Sequence, residues 1–148
     1  MHRLFFSLLT AAFLMSSSAH AQFRKIPAAV TDSFKMKYPS ATAVEWKDKV
    51  TSFQASFILD NVKFNAKYSS KGEWQGSTKD IKETELPAVV KDGLAKSKYA
   101  DWKVRGVSTR YLPDGKTQYG IGVSKSDLQK KNLLFSSEGQ LLKDNATL

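Results

Sequence analysis

Histidine and cysteine carry much of a protein's nucleophilic, acid–base and metal chemistry. This chain of 148 residues has two histidines and no cysteine. Both histidines, His2 and His20, fall in an N-terminal stretch that reads as a cleaved leader. The rest of the chain holds no Ser-His-Asp or Cys-His constellation, no ordinary zinc ligand set and no His or Cys to ligate haem or an iron–sulfur cluster. Carboxylates remain. Glu83 and Glu85 flank a helix start, where acidic side chains favour the helix dipole. No pattern sets two acids across a cleft, as glycoside hydrolysis requires. The run Gly72 to Lys79, GEWQGSTK, lacks the Gly-Lys-Ser/Thr ending of a phosphate loop. The expectation is a protein without catalytic residues, cofactor or metal.

The side chains left for function are polar and basic, and they recur at every second position. In FQASFIL, Gln54 and Ser56 alternate with Phe53, Ala55 and Phe57. In VKFNAKY, Lys63, Asn65 and Lys67 alternate with Val62, Phe64, Ala66 and Tyr68. Further on, Lys103 and Arg105 share one side of their strand, and Gln118 shares the outward side of its own. Such a face can bind a partner, or it can be the solvated side of a one-sided antiparallel sheet. The eight residues Gln54, Ser56, Lys63, Asn65, Lys67, Lys103, Arg105 and Gln118 are the candidate partner contacts. Trp46, Trp74 and Trp102 could anchor an interface. Two of them begin strands in matched surroundings, which fits packing better. The formal net charge is +9, from 23 Lys+Arg against 14 Asp+Glu. Lysines interleaved with aromatics suit a polyanion. The charge is nonetheless spread, without an arginine cluster, so no specific nucleic acid is expected.

Alternation of this kind needs strands to display it, and the strands need helices to cover their apolar side. Ile26, Val30, Phe34 and Tyr38 recur at steps of four, one face of a helix. Leu86, Val90 and Leu94 repeat that spacing. Pro27 and Pro87 stand where a first turn tolerates proline, and Pro39 ends the first helix. Asp60-Asn61, Ser69-Ser70-Lys71-Gly72, Pro113-Asp114-Gly115 and Ser137-Glu138-Gly139 read as hairpin turns.

The leader itself is Met-His-Arg, then an apolar run of about a dozen residues, then SSSAHA, with cleavage expected after Ala21. The run is too short for the roughly 20 residues that cross a bilayer. A periplasmic or secreted protein with no membrane span in its mature form is expected. Residues 22–148 make about one domain, large enough for a core without disulfides.

Several landmarks occur twice, in one order. IPAAVTDSF at Ile26 answers LPAVVKDGL at Leu86, Lys37-Tyr38 answers Lys98-Tyr99, and EWK at Glu45 answers DWK at Asp101. KYSSKGEW in the first half answers LFSSEGQL in the second. The pattern predicts an α+β fold of two tandem units, about 24–82 and 83–143, each one helix plus four strands. Together they would form one curved antiparallel sheet with both helices on one face. In these landmarks the chain resembles the PepSY-like family of exported bacterial proteins, which is described as similar to the beta-lactamase inhibitor protein. The resemblance covers roughly Ile26 to Lys143. It implies the tandem units, an envelope location and an inhibitor-like binding role, since that inhibitor covers an enzyme with the sheet face opposite its helices. The expected partner is accordingly an envelope protein, with a basic polyanion- or surface-binding module as the alternative.

Overall fold

The computed structural model describes residues 24–146. The leader, its expected cleavage point and both histidines lie outside the described residues. The element order is a helix, four strands, a short 3-10 turn, a second helix and four more strands.

Helix α1 spans Ala28–Lys37 and α2 spans Ala88–Ala95. Pro27 and Pro87 stand one residue before each helix rather than inside its first turn, with extended ψ of 145° and 143°. Each proline carbonyl accepts the first helical bonds. Val30 N–H donates to Pro27 at 3.0 Å, and Val90 N–H to Pro87 at 3.0 Å. A residue with no N–H of its own loses nothing at that position. Between the halves, Glu83–Glu85 form the 3-10 turn, and the Glu85 carboxylate accepts the Lys82 N–H at 2.7 Å.

The strands are β1 Thr42–Asp48, β2 Ser52–Leu59, β3 Val62–Ser69, β4 Trp74–Ile81, β5 Lys103–Tyr111, β6 Thr117–Ser124, β7 Lys130–Ser136 and β8 Leu141–Ala146. They form one eight-stranded sheet in sequence order, every neighbouring pair antiparallel. The turn chemistry explains the hairpins. Asp60 and Asn61 both adopt positive φ, +50° and +61°, which matches the twist of the flanking strands. In the β3–β4 turn, the Ser69 hydroxyl accepts the N–H groups of Lys71 and Glu73 at 3.3 and 3.2 Å. In the β7–β8 turn, Ser136 accepts those of Glu138 and Gln140 at 3.2 and 3.3 Å.

The glycines of these two turns, Gly72 at φ +85° and Gly139 at φ +80°, also touch the helices. A β-carbon on Gly72 would sit 2.4 Å from the Ala29 carbonyl oxygen, and one on Gly139 would sit 2.3 Å from that of Val89. Each turn is therefore pressed onto its helix backbone, and glycine is the residue that permits it.

Two apolar clusters fill the molecule. Val30 and Phe34 of α1 pack with Phe53, Ala55, Phe57, Ala66 and Tyr68. Leu86 and Val90 pack with Tyr99, Val107, Ile121, Val123, Leu133 and Phe135. The period-four and period-two readings thus identify residues of these clusters, with Ile26, Tyr38, Leu59, Phe64, Leu94 and Tyr119 half-buried at their margins. Trp46, Trp74 and Trp102 are half-buried against these clusters, as packing residues would be. Leu141, at the position answering Trp74, is instead 37% exposed. Edge contacts finish the sheet. Arg24 forks onto Asp48 at 2.6 and 2.5 Å and donates to the Val50 carbonyl at 2.6 Å. Asp144 of β8 accepts from the Tyr99 hydroxyl and pairs with Lys98 Nζ at 2.9 Å.

Candidate interaction face

Directly opposed residues of neighbouring strands point to the same side of a sheet, and successive residues of one strand to opposite sides. Ala55 and Ala66 lie in the α1 cluster. Their neighbours Gln54, Ser56, Asn65 and Lys67 therefore project from the other side. Register carries that side across the molecule as a single row: Glu45 opposes Ser56, Ser56 opposes Asn65, Asn65 opposes Thr78, and Thr78 opposes Arg110. Arg110 in turn opposes Gln118, which opposes Ser136. Every member is polar. At about 4.8 Å per strand the row runs for about 29 Å.

Three of the expected residues, Ser56, Asn65 and Gln118, stand in this row. Gln54 and Lys67 oppose each other beside it, and Lys63 opposes Ile58 on its other flank. Side-chain bonds hold the centre. Gln54 Nε2 donates to Asn65 Oδ1 at 3.2 Å, and Ser56 Oγ donates to the same oxygen at 2.6 Å. A hollow of about 200 Å³ opens here, lined by Gln54, Asn65, Lys67, Gly76, Thr78 and Arg110 among others. Gly76 has φ +124°, and a β-carbon there would lie 2.9 Å from the Tyr111 carbonyl oxygen.

Arg105 lies apart from this centre. The register of β5 with β6 breaks between Val104 and Gly106, and Arg105 is the extra residue. Its guanidinium reaches within 3.6 Å of where a Gly122 β-carbon would be. There it lines a shallow hollow of about 600 Å³ with Asp80, Ser108, Gly120 and Asn132. Lys103 joins neither group and lines a hollow beside α2 with Glu83, Lys91 and Trp102. Thr78 and Arg110 belong to the centre of the face but did not stand out in the sequence.

The basic residues of this face form no ion pair among the described residues. The ion pairs among the described residues are Arg24–Asp48, Asp92–Lys96, Lys98–Asp144 and Asp114–Lys116. None includes Lys63, Lys67, Arg105 or Arg110. The nearby acids on the same side are Glu45 and Asp80, which oppose Ser56 and Ser108. The strongest carboxylate perturbation lies elsewhere: the Arg24 hydrogen bonds hold Asp48 at about 2. No group of three or more His, Cys, Asp or Glu placed to hold a metal occurs among the described residues, and no helix there is long and apolar enough to cross a membrane. The arrangement can attract and hydrogen-bond an acidic surface.

Comparison with known proteins agrees with this architecture. Residues 51–143, well over half of the chain, match the family described as "Putative beta-lactamase-inhibitor-like, PepSY-like". Among solved structures, a DUF2874 family protein from Bacteroides ovatus is 25% identical at a TM-score of 0.76, covering 82% of this chain and 88% of its own. A BLIP-like protein from Bacteroides fragilis is 24% identical at 0.75, covering 85% and 89%. A protein from Bacteroides eggerthii described as "putative periplasmic" is 24% identical at 0.76, covering 82% and 89%. No curated protein matches the chain.

Proposed function

The chain belongs to the PepSY-like, beta-lactamase-inhibitor-like family, and from that membership we propose that it is a non-catalytic, inhibitor-like binding protein of the bacterial envelope. It engages another envelope protein through the polar row and the basic residues beside it. In this reading the chain is exported and loses residues 1–21. Residues 22–148 then form one domain of two tandem units, about 24–82 and 83–143. Two pairs of contacts support the duplication: Gly72 on Ala29 with Gly139 on Val89, and the serine hydroxyl of Ser69 with that of Ser136. Both helices cover one side of the sheet. Register supports this, since Ala66 opposes Ser77, Ser77 opposes Tyr111, and the same side continues through Val107 and Ile121 to Leu133. The row from Glu45 to Ser136 is then left for a partner.

The observation that carries the reading is the set of basic side chains on that row's side with no ion-pair partner among the described residues. A protein with an acidic surface would supply the missing charge, and electrostatic complementarity of this kind governs encounter and specificity. The test is capture on the immobilised protein from an envelope extract of its own host, at low and at moderate salt. One protein retained at moderate salt, and lost when Lys63 and Lys67 are both changed to Glu, is the expected result. Retention unaffected by that double reversal would exclude this face. Without the Arg3 of the leader the net charge is still +8, 22 Lys+Arg against 14 Asp+Glu, and it supports a second reading, a module for polyanions or an anionic cell surface. It predicts capture of acidic polymers alone, disappearing as salt rises.

A further inference from the structure

We propose that the hollow between Gln54, Asn65, Lys67, Gly76, Thr78 and Arg110 is a carboxylate-binding site that receives one acidic side chain of a protein partner. The proposal rests on the binding role argued above and specifies its chemistry. Asn65 decides the polarity of the site. Its Oδ1 accepts two bonds, from Gln54 Nε2 and from Ser56 Oγ. The amide is thereby locked with its oxygen committed, and its Nδ2 keeps both donor hydrogens for something else. Arg110 faces Thr78 on the adjoining strand, and Thr78 faces Asn65. Lys67 follows Asn65 at the next position on the same side of β3, opposite Gly76. Donors therefore surround the hollow: an amide NH2, a hydroxyl, an ammonium and a guanidinium. Among the described residues no acidic one lines it.

Geometry narrows the ligand. The hollow of about 200 Å³ is smaller than the roughly 300–1,000 Å³ of a small-molecule pocket. It has room for one side chain. Gly76 leaves the floor between Lys67 and Tyr111 bare, and its positive φ makes any other residue there strained. A guanidinium presents paired donors in a fork that matches the two oxygens of a carboxylate. An anchored acid at the middle of a long polar row also suits the way interfaces concentrate their energy in few central contacts.

The experiment is a titration of the 15N-labelled protein with acetyl-Gly-Glu-Gly-amide and with its Gln counterpart, at constant ionic strength. Saturable shifts at the Asn65 side-chain NH2 and the Lys67 and Gly76 amides are expected with the Glu peptide, with at least tenfold weaker binding of the Gln peptide. Asn65→Asp keeps an oxygen for Gln54 and Ser56 but replaces the donors with negative charge. It should reduce binding at least tenfold while the remaining amide spectrum is unchanged, and Arg110→Gln should do likewise. Equal affinity for the two peptides, equal displacement by sulfate at matched ionic strength, or full binding by Asn65→Asp would each overturn the site. The capture experiment separates this from the broader reading. A partner held as firmly by Asn65→Asp as by the parent removes the carboxylate site and leaves the interaction face standing. Peptide binding without any captured protein keeps the site and removes the envelope-protein reading.

Discussion

Single side chains show where this molecule carries unneeded cost. Tyr68 is fully buried, and its hydroxyl has no hydrogen-bond partner among the described residues. Its burial also holds the phenol above its ordinary pKa. An unpaired buried hydroxyl costs about 1–3 kcal/mol. Tyr68→Phe keeps the ring and removes the orphan, so it should leave stability unchanged or raise it by about 1 kcal/mol in urea unfolding. A loss larger than that would reveal a hidden partner. The Arg24–Asp48 pair gives a pH prediction. Asp48 is held at about 2 by the Arg24 hydrogen bonds, below the roughly 3.9 of an unfolded aspartate. The folded state thus prefers the ionised carboxylate. The stability this adds is complete above about pH 4 and is lost as pH falls through about 2. Arg24→Ala should return the Asp48 titration, followed by NMR, to the ordinary carboxylate range and flatten the acid limb of the stability curve.

At the level of elements, the turn glycines should prove unequal. Gly72, Gly115 and Gly139 all have φ between +80° and +85°. A β-carbon on Gly115 meets nothing within 4 Å, whereas those on Gly72 and Gly139 would strike helix carbonyls. Gly115→Ala should cost about 1 kcal/mol from backbone strain alone. Gly72→Ala and Gly139→Ala should each cost more than about 2 kcal/mol, because helix and turn must separate. Thermal or denaturant melts of the three variants decide it; three equal losses would mean that the turns are not docked. The strands and turns were largely legible in the sequence, because Phe53, Ala55 and Phe57 alternate cleanly and Asp60-Asn61 has distinctive backbone preferences. Arg110 was not legible, and the reason is local. Counting by twos from Lys103 and Arg105 puts Val107 and Thr109 on their side and Arg110 on the other. The irregularity at Arg105 inverts that count, so Gly106, Ser108 and Arg110 share the polar side. Thr78 was missed for a different reason: its pairing with β5 spans the whole α2 segment, and no short-range pattern announces it.

For the whole molecule the governing quantity is charge and where it is left unpaired. Ion pairs occupy the sheet margins, helix α2 and one exposed turn, whereas among the described residues the basic side chains on and beside the polar row have none. Partner association should therefore be fast at low salt and slow several-fold as ionic strength rises, with the dissociation rate changing much less. Surface plasmon resonance across a salt series would show this. A dissociation rate that rises as steeply as association falls would point to the polyanion reading instead. Membership of the family was recoverable from the repeated landmarks, but the partner was not, since the row proposed to meet it is composed across seven strands and no contiguous stretch of sequence contains it.

The strictly sequential strand order has a kinetic consequence. Each strand hydrogen-bonds only to strands adjacent to it along the chain. Apart from β4 and β5, which close across the α2 segment, each pairing closes a short hairpin, so loop-closure entropy stays small at most steps, and pairing can follow the order in which residues become available. A chain delivered amino-terminus first could zip β1 to β4 over α1 while the later strands are still unformed. The half-made sheet would carry a temporary raw edge at β4, which the next hairpin to arrive covers.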